Sequence, residues 1–278
     1  MKVIGPDWLQ IDLELQDISG TLWARQPTLD EINRNPSPHR YLLVEPSAVA
    51  PWDYEFADKY NDKFYQILTF NKYLLSKYKH ATLLYFGTTW ISSEVAEESH
   101  EFPKKDGVSF LCGSLSFLYG HVLRRKIYDS QNILEASTGI TLDFYRSSRG
   151  ELIPSVSPRG NPLIYQDKSA LHLPYRFSIV IENSTETNYF SEKIVDCFMC
   201  HTIPIYWGCD NIETFFNTNG MIQLQGDISG VLQQLSTILP ACTEELYIKM
   251  LPALKDNHKR SYKYANYLGR IVESIRAY

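Results

Sequence analysis

The chain has 278 residues, 44% apolar, 13% aromatic and 21% charged, a balance that excludes an intrinsically disordered chain and is enough to build the cores of two domains. Its formal net charge of −5 argues against a surface that tracks nucleic-acid phosphates, where lysine and arginine accumulate. No stretch approaches the roughly 18 apolar residues of a membrane span, and the start MKVIGPDWLQIDLELQ lacks a basic region followed by an apolar run, so a cytoplasmic location is expected.

In chain order, RYLLVEP (40–46) reads as a buried strand ending at a proline, YQILTFN (65–71) as a second, KYLLSKY as a short helix and ATLLYFG (81–87) as a third strand. Strand, helix and strand in that rhythm imply a parallel sheet with crossover helices. SSEVAEESHEFPKKDG (92–107) is polar, first acidic and then basic, and is the expected link between domains. The pattern then restarts. VSFLCGS (108–114) is a strand and YGHVLRRKIYDSQ (119–131) a helix with Val122, Ile127 and Leu123 as its inward candidates. LDFYRSS (142–148) is a strand, followed by a Gly/Pro/Ser-rich loop to about residue 166. RFSIVIEN (176–183), IPIYWG (203–208) and MIQL (221–224) are further strands, and the end from about 228 is helical. The expected fold is therefore α/β, two Rossmann-like units with a cleft between them, divided as 1–103 and 104–278.

Between the last two long strands lies CFMCH, Cys197 to His201, which matches the C-x-x-C-H pattern of haem attachment. Five cysteines, an odd number, fit reduced buried thiols better than a disulfide framework. Phe190, Ile194, Cys197, Phe198 and His201 fall on one helical stripe, so the cysteines read as small hydrophobes in a helix body.

In open parallel sheets, ligands bind beyond the carboxyl ends of the strands. After RFSIVIEN come Glu182 and Asn183, the polar stretch STETN, and a helix expected to open at Tyr189 or Phe190. A helix N-terminus is an anion site, and Lys193 in its first turn makes sense if a diphosphate sits there or if Glu192 or Asp196 pairs with it. Glu192 can accept from a ribose diol or serve the turn, and Tyr189 can stack on a base or be partly buried. The other junction offers Gly113, Ser114, Arg124 and Arg125, of which Arg124 is the candidate for bidentate phosphate contacts. Neither a G-x-G-x-x-G after a strand nor a P-loop occurs, which removes the main support for a dehydrogenase or kinase. No D-x-D occurs either, so a leaving diphosphate would be neutralised by Lys193, Arg124 and backbone amides in place of a metal, and no cofactor is expected.

IVIENSTETNYFSEKIVDCFMCHTIPIYWG closely resembles the donor-binding signature of family 10 glycosyltransferases, the α-1,3/1,4-fucosyltransferases. The glycine of the family's final element is replaced here by His201-Thr202. Arg124 in LRRKIYD resembles the family's phosphate-binding arginine, and LLVEPSAVAPW resembles the loop that carries its catalytic glutamate, here Glu45. The match is strong over about 108–225 and weak over 1–105. The resemblance implies a GT-B fold with the acceptor on the N-terminal domain and a nucleotide sugar on the C-terminal one. It implies inverting, metal-independent transfer to a glycan hydroxyl, with Glu45 as general base. Arg124, Lys193, Glu182, Asn183, Ser114, Tyr189 and Glu192 would then serve the donor, Glu192 at its ribose or its sugar. GDP-fucose is the implied donor, with UDP-xylose or another nucleotide sugar, or a non-catalytic binding module, as the alternatives. Trp52, Tyr54, Phe56 and Trp90 can stack on sugar rings or fill the core.

Overall fold

The computed structural model describes residues 1–6, 9, 13–113, 115–147, 161–163 and 168–278. Ser114 and most of the Gly/Pro/Ser-rich loop before residue 166 lie outside the described residues. Two compact units emerge: Met1–Phe86 with Glu186–Tyr189 and Asn266–Tyr278, and Gly87–Thr185 with Phe190–Ala265.

In the first unit, β1 (Lys2–Ile4), β2 (Thr21–Trp23), β3 (His39–Leu42), β4 (Gln66–Thr69) and β5 (Ala81–Leu83) lie in that order, each neighbouring pair parallel. The crossovers after β2, β3 and β4 are α1 (Leu29–Arg34), α2 (Pro51–Lys59) and α3 (Lys72–Lys77). Consecutive strand residues point to opposite faces, and both faces here are apolar. Trp23, Tyr41 and Ile67 sit in register and pack with Ile32 of α1, Tyr54 and Ala57 of α2 and Leu74 of α3. Leu22, Leu42, Leu68 and Leu84 form the opposite face and pack with Tyr267, Ile271 and Ile275 of the C-terminal helix.

The second unit contains α4 (Ser93–Glu98), β6 (Lys105–Cys112), α5 (Tyr119–Asp129), α6 (Gln131–Thr138), β7 (Leu142–Ser147), β8 (Asn161–Leu163), α7 (Ser169–His172) and β9 (Tyr175–Ile181). It continues with α8 (Glu192–Met199), β10 (Ile203–Trp207), β11 (Ile222–Gln223), α9 (Ile228–Ile238) and α10 (Glu244–Ala265), and α11 (Tyr267–Arg276) then returns to the first unit. The sheet order is β11-β10-β9-β6-β7-β8, every pair parallel. From β6 the chain steps outward to β7 and β8, then comes back to β9 on the other side of β6. The strand order reverses between β6 and β9, and a topological switch point of this kind opens a crevice at the strands' carboxyl ends.

The strands predicted at 40–46, 65–71, 81–87, 108–114, 142–148, 176–183, 203–208 and 221–224 are all present, each ending earlier than predicted, with β3, β6 and β9 starting before the predicted residue. β1 and β2 escape a periodicity reading because each is three residues long. On α5, Leu123 is fully buried while Val122 is only half-buried.

The expected link 92–107 is not a link. Ser92 caps α4 by accepting from the Val95 N–H, Ala96 is buried beneath it, and β6 begins at Lys105. The units accordingly part at Phe86/Gly87, not at residue 103, and the last helix packs with the first unit. The physical reason is coverage. A two-sided apolar sheet needs helices on both faces, and Tyr267, Ile271 and Ile275, spaced four apart, supply the face that α1, α2 and α3 leave bare.

Ile271→Ala, at a fully buried position of that face, is expected to cost about 2–5 kcal/mol of stability, read as a lowered midpoint in urea. A midpoint within error of the parent would show that α11 is not part of this core.

Candidate functional site

At the switch point, β9 delivers Glu182 and Asn183 and the next helix, α8, begins beside them. Ser191 is the N-cap of α8, so the helix starts at Glu192, later than the expected Tyr189 or Phe190. Glu182 is completely buried. Its Oε1 accepts from the Ser191 N–H at 2.9 Å and its Oε2 from the Ser191 hydroxyl at 2.6 Å, with Lys193 Nζ 3.5 Å away. The expectation that this helix end awaits an external anion therefore needs correction: the chain supplies a carboxylate there itself, where the helix dipole and capping amides stabilise it.

Two glycines allow this approach. A Cβ on Gly120 would sit 1.9 Å from the Glu182 carbonyl oxygen, and one on Gly208 would sit 2.5 Å from Glu182 Cγ. Gly120 also donates its N–H to the Asn183 carbonyl at 3.1 Å, tying the start of α5 to the end of β9.

Around Glu182 the charges alternate. Lys193 Nζ donates to Ser191 Oγ at 3.0 Å and to Glu192 Oε1 at 3.3 Å, and Lys168 Nζ reaches Glu192 Oε1 at 2.9 Å. Burial works against the Glu192 carboxylate, but Lys168 and Lys193 outweigh it and hold its pKa well below the usual carboxylate range. Burial opposes the Lys193 charge as well, and Glu192 with Glu182 more than restores it. Arg124 lies buried beneath, donating Nη1–H to the Ile181 carbonyl and Nη2–H to Asn183 Oδ1, each at 2.8 Å. Arg125 is half-buried.

Arg124, Lys168 and Lys193 line a small cavity of about 20 Å³, room for about one water molecule, together with buried His172. Burial depresses the His172 pKa to about 3 and, with Arg124 and Lys193 adding repulsion, that of nearby His121 to about 4, so both rings are neutral at pH 7. Sequence reasoning missed Lys168, His121 and His172, because none stands in a motif.

A larger cavity of about 620 Å³ opens at the carboxyl ends of β9, β10 and β11. Its walls are Ser184 and Thr185, Tyr206 to Asp210, Gln223 to Asp227, and Tyr119 from α5. Tyr119 and Trp207 stack with centroids 5.6 Å apart, and Tyr119 Oη accepts from the Ile228 N–H at 2.9 Å. Its volume falls within the range of small-molecule sites. Gly208 belongs to this wall and also abuts Glu182, so the cavity and the charged cluster are neighbours.

Tyr189 is 1% exposed and belongs to the first unit, its ring 5.3 Å from that of Phe70, so of its two expected readings the structure shows the buried one. Glu45 follows β3 in the first unit with its side chain exposed. Of the four aromatics expected to stack or pack, Trp52 is 58% exposed, Tyr54 belongs to the core, Phe56 is half-buried against it, and Trp90 is half-buried.

Of the CFMCH segment, Cys197, Phe198 and Met199 end α8, Cys200 is its C-cap and His201 lies beyond it, so the expected helical stripe stops short of His201. Cys197 and Cys200 are fully buried, and burial raises the Cys197 thiol pKa well above normal. His201 takes a φ of +48°, the left-handed region that explains a glycine at this position in the resembling motif. Its ring stacks on His258 at 4.0 Å and bonds to Ser99 at 2.7 Å. Among the described residues, no group of His, Cys, Asp or Glu is placed to hold a metal ion, and no helix is long and apolar enough to cross a membrane.

No family model matches the chain. Over 102 residues it is 30% identical to the Helicobacter pylori α-(1,3)-fucosyltransferase FucT, a match that covers 37% of this chain and 18% of that protein. A crystal structure of an α1,3-fucosyltransferase with GDP superposes with a TM-score of 0.52 at 15% identity, covering 91% of this chain and 77% of the other. Anabaena Alr3699/HepE in complex with UDP gives 0.58 at 12% identity, covering 97% and 81%. The fold is that of the GT-B glycosyltransferases. The likeness to fucosyltransferases, read from the YFSEK segment, thus extends to the fold, in which both units are parallel α/β sheets.

Asp196 of α8 gives this cluster a pH signature. Its Oδ1 accepts from the Thr89 hydroxyl at 2.6 Å and the Trp90 N–H at 2.8 Å, while Oδ2 has no hydrogen-bond partner and Lys168 lies 3.9 Å away. Burial pushes its pKa up to about 7, and Glu192 adds repulsion. An acid whose folded pKa is raised has its full stability below the unfolded value near ~4 and loses it as pH rises through the folded one. Asp196→Asn keeps the accepting oxygen and removes the charge. Its stability gain over the parent is expected to grow between pH 4 and 7 and level off above, measured by thermal melts across that range. A gain independent of pH would refute the assignment.

Proposed function

We propose that the chain is a glycosyltransferase that moves a sugar from a nucleoside diphosphate to a glycan hydroxyl. The observation that carries this reading is the switch point between β6 and β9, where Arg124, Lys168 and Lys193 line a cavity of about 20 Å³ and Gly208, which abuts Glu182, belongs to the wall of a second cavity of about 620 Å³. The sequence likeness to a fucosyltransferase supports it. On this reading the nucleoside enters the large cavity, and the diphosphate lies against Lys193 and Arg124, on the cationic side of the cluster where Glu192 now pairs with both Lys193 and Lys168.

The reaction is a displacement at the anomeric carbon. The acceptor oxygen attacks from the face opposite the diphosphate, the carbon–oxygen bond to phosphate breaks, and the configuration inverts. Glu45 takes the acceptor's proton, and the ammonium and guanidinium groups stabilise the charge on the departing diphosphate without a metal. Exposed Trp52, on α2 after the Glu45 loop, offers a platform for an acceptor sugar.

GDP-fucose is the first donor to test. A melting-temperature panel of GDP, UDP and their sugars is expected to show stabilisation by GDP and GDP-fucose. Stabilisation by UDP alone would replace the fucosyl reading with another nucleotide sugar. Glu45→Gln is expected to lower transfer by about 10²–10⁴-fold while leaving the nucleotide-induced shift intact. A chain that binds nucleotide but neither transfers nor hydrolyses any donor would be a binding module instead.

A further inference from the structure

The polar stretch STETN between β9 and α8 does more than join two elements. Glu186 within it packs in the first unit, and both of its carboxylate oxygens are engaged there. Oε2 accepts from the Ser47 N–H at 3.1 Å and from the Ser47 hydroxyl at 3.2 Å, and Oε1 accepts from Asn71 Nδ2 at 2.9 Å. Its neighbours hold the same place: Asn188 donates to the Phe70 carbonyl at 3.3 Å, and the Tyr189 ring lies against Phe70. The carboxylate thus pins the loops that follow β3 and β4, and Asn71 in turn caps α3 by accepting from the Leu74 N–H.

Ser47 stands two residues after Glu45, and the residue between them is Pro46, whose φ is fixed by its ring. Before the proline, the Glu45 carbonyl accepts from Tyr54 Oη at 2.8 Å. After it, the Ser47 N–H is held by Glu186. The backbone on either side of Pro46 is therefore fixed, one side by a buried phenol of α2 and the other by a charge-assisted bond. Beyond the proline, the Pro46 carbonyl accepts from the N–H groups of Val49 and Ala50, closing the turn into α2.

We propose that Glu186 is a positioning residue for Glu45: by binding Ser47 it sets where the Glu45 carboxylate meets the acceptor hydroxyl. The proposal rests on Glu45 acting as the general base. A base must lie within hydrogen-bond reach of the proton it removes, and a misplacement of about 1 Å costs about 10²-fold in rate.

The test is a double-mutant cycle on the full chain, with GDP-fucose as donor and an oligosaccharide on which the parent is active. Glu186→Ala is expected to lower kcat by about tenfold or more, with KM for GDP-fucose and the GDP-induced melting shift unchanged within about twofold. On a Glu45→Gln background the same substitution is expected to add nothing, because its effect passes through the Glu45 carboxylate. Amide exchange over residues 44–50 should speed up in Glu186→Ala, a readout that needs no turnover. If Glu186→Ala does not yield folded protein, Ser47→Ala, which deletes only the hydroxyl bond, carries the same cycle with a smaller drop. Full activity in Glu186→Ala while Glu45→Gln is impaired, or an equal further drop on the Glu45→Gln background, overturns the positioning role alone. No transfer by the parent, or full transfer by Glu45→Gln, removes the reading beneath it.

Discussion

The second unit is organised around one buried carboxylate. Glu182 sits at zero exposure between the end of β9 and the first turn of α8, where a lone ionised group would cost several kcal/mol. It is tolerated because the Ser191 N–H, the Ser191 hydroxyl and Lys193 all address it, and because α8 presents its positive end there. The opposite end of α8 is treated symmetrically: Lys104 Nζ donates to the Cys200 carbonyl at 2.6 Å and the Leu173 carbonyl at 2.8 Å. Burial lowers the Lys104 pKa to about 8, which still leaves it mostly protonated at neutral pH. A helix with an anion at its start and a cation at its end can be buried on nearly all sides, and α8 is.

That bracket fixes what stands around it. Glycine is required at 120 and 208 because backbone and side-chain atoms of Glu182 occupy the space a Cβ would take. Lys193 cannot reorient without exposing Glu182 to an unbalanced site, so its ammonium stays at the switch point, and Arg124 is held there by the Ile181 carbonyl and Asn183. Glu192 and Lys168 extend the alternation of sign that Glu182 and Lys193 begin. On the proposed reading, an arriving diphosphate takes over part of the role that Glu192 plays for these cations. The polarity of the cluster is thus conserved while its partners change, which suits a site that binds and releases a highly charged leaving group.

Much of this was legible in the sequence. RFSIVIEN and IPIYWG are continuous apolar runs because parallel strands are covered on both faces, and they announced β9 and β10 before any coordinates. ENSTETNYFSEK placed Glu182, Asn183, Glu192 and Lys193 at one junction, and LRRK pointed to Arg124, all of which the fold brings together. Other residues resisted. Lys168, His121 and His172 come from α5 and the two ends of α7 with no spacing that marks them. Tyr189 looked like a ligand residue since it stands in the motif, yet its ring is more stably placed against Phe70 than in water.

By itself the sequence determined the fold class, the principal strands, the junction at which the charged cluster gathers and the buried character of CFMCH. These follow from local pattern: apolar runs, helical stripes and the residue types around a turn. Only the tertiary structure decided that α11 covers the first sheet, that 92–107 is helix and strand, and that Glu186 serves the Glu45 loop. It also decided that the anion at the start of α8 is the chain's own Glu182. The reason is the same in each case: a buried face, an unpaired charge or a helix end must be satisfied, and the group that satisfies it comes from wherever the folded chain brings one near, at a sequence distance no local pattern encodes.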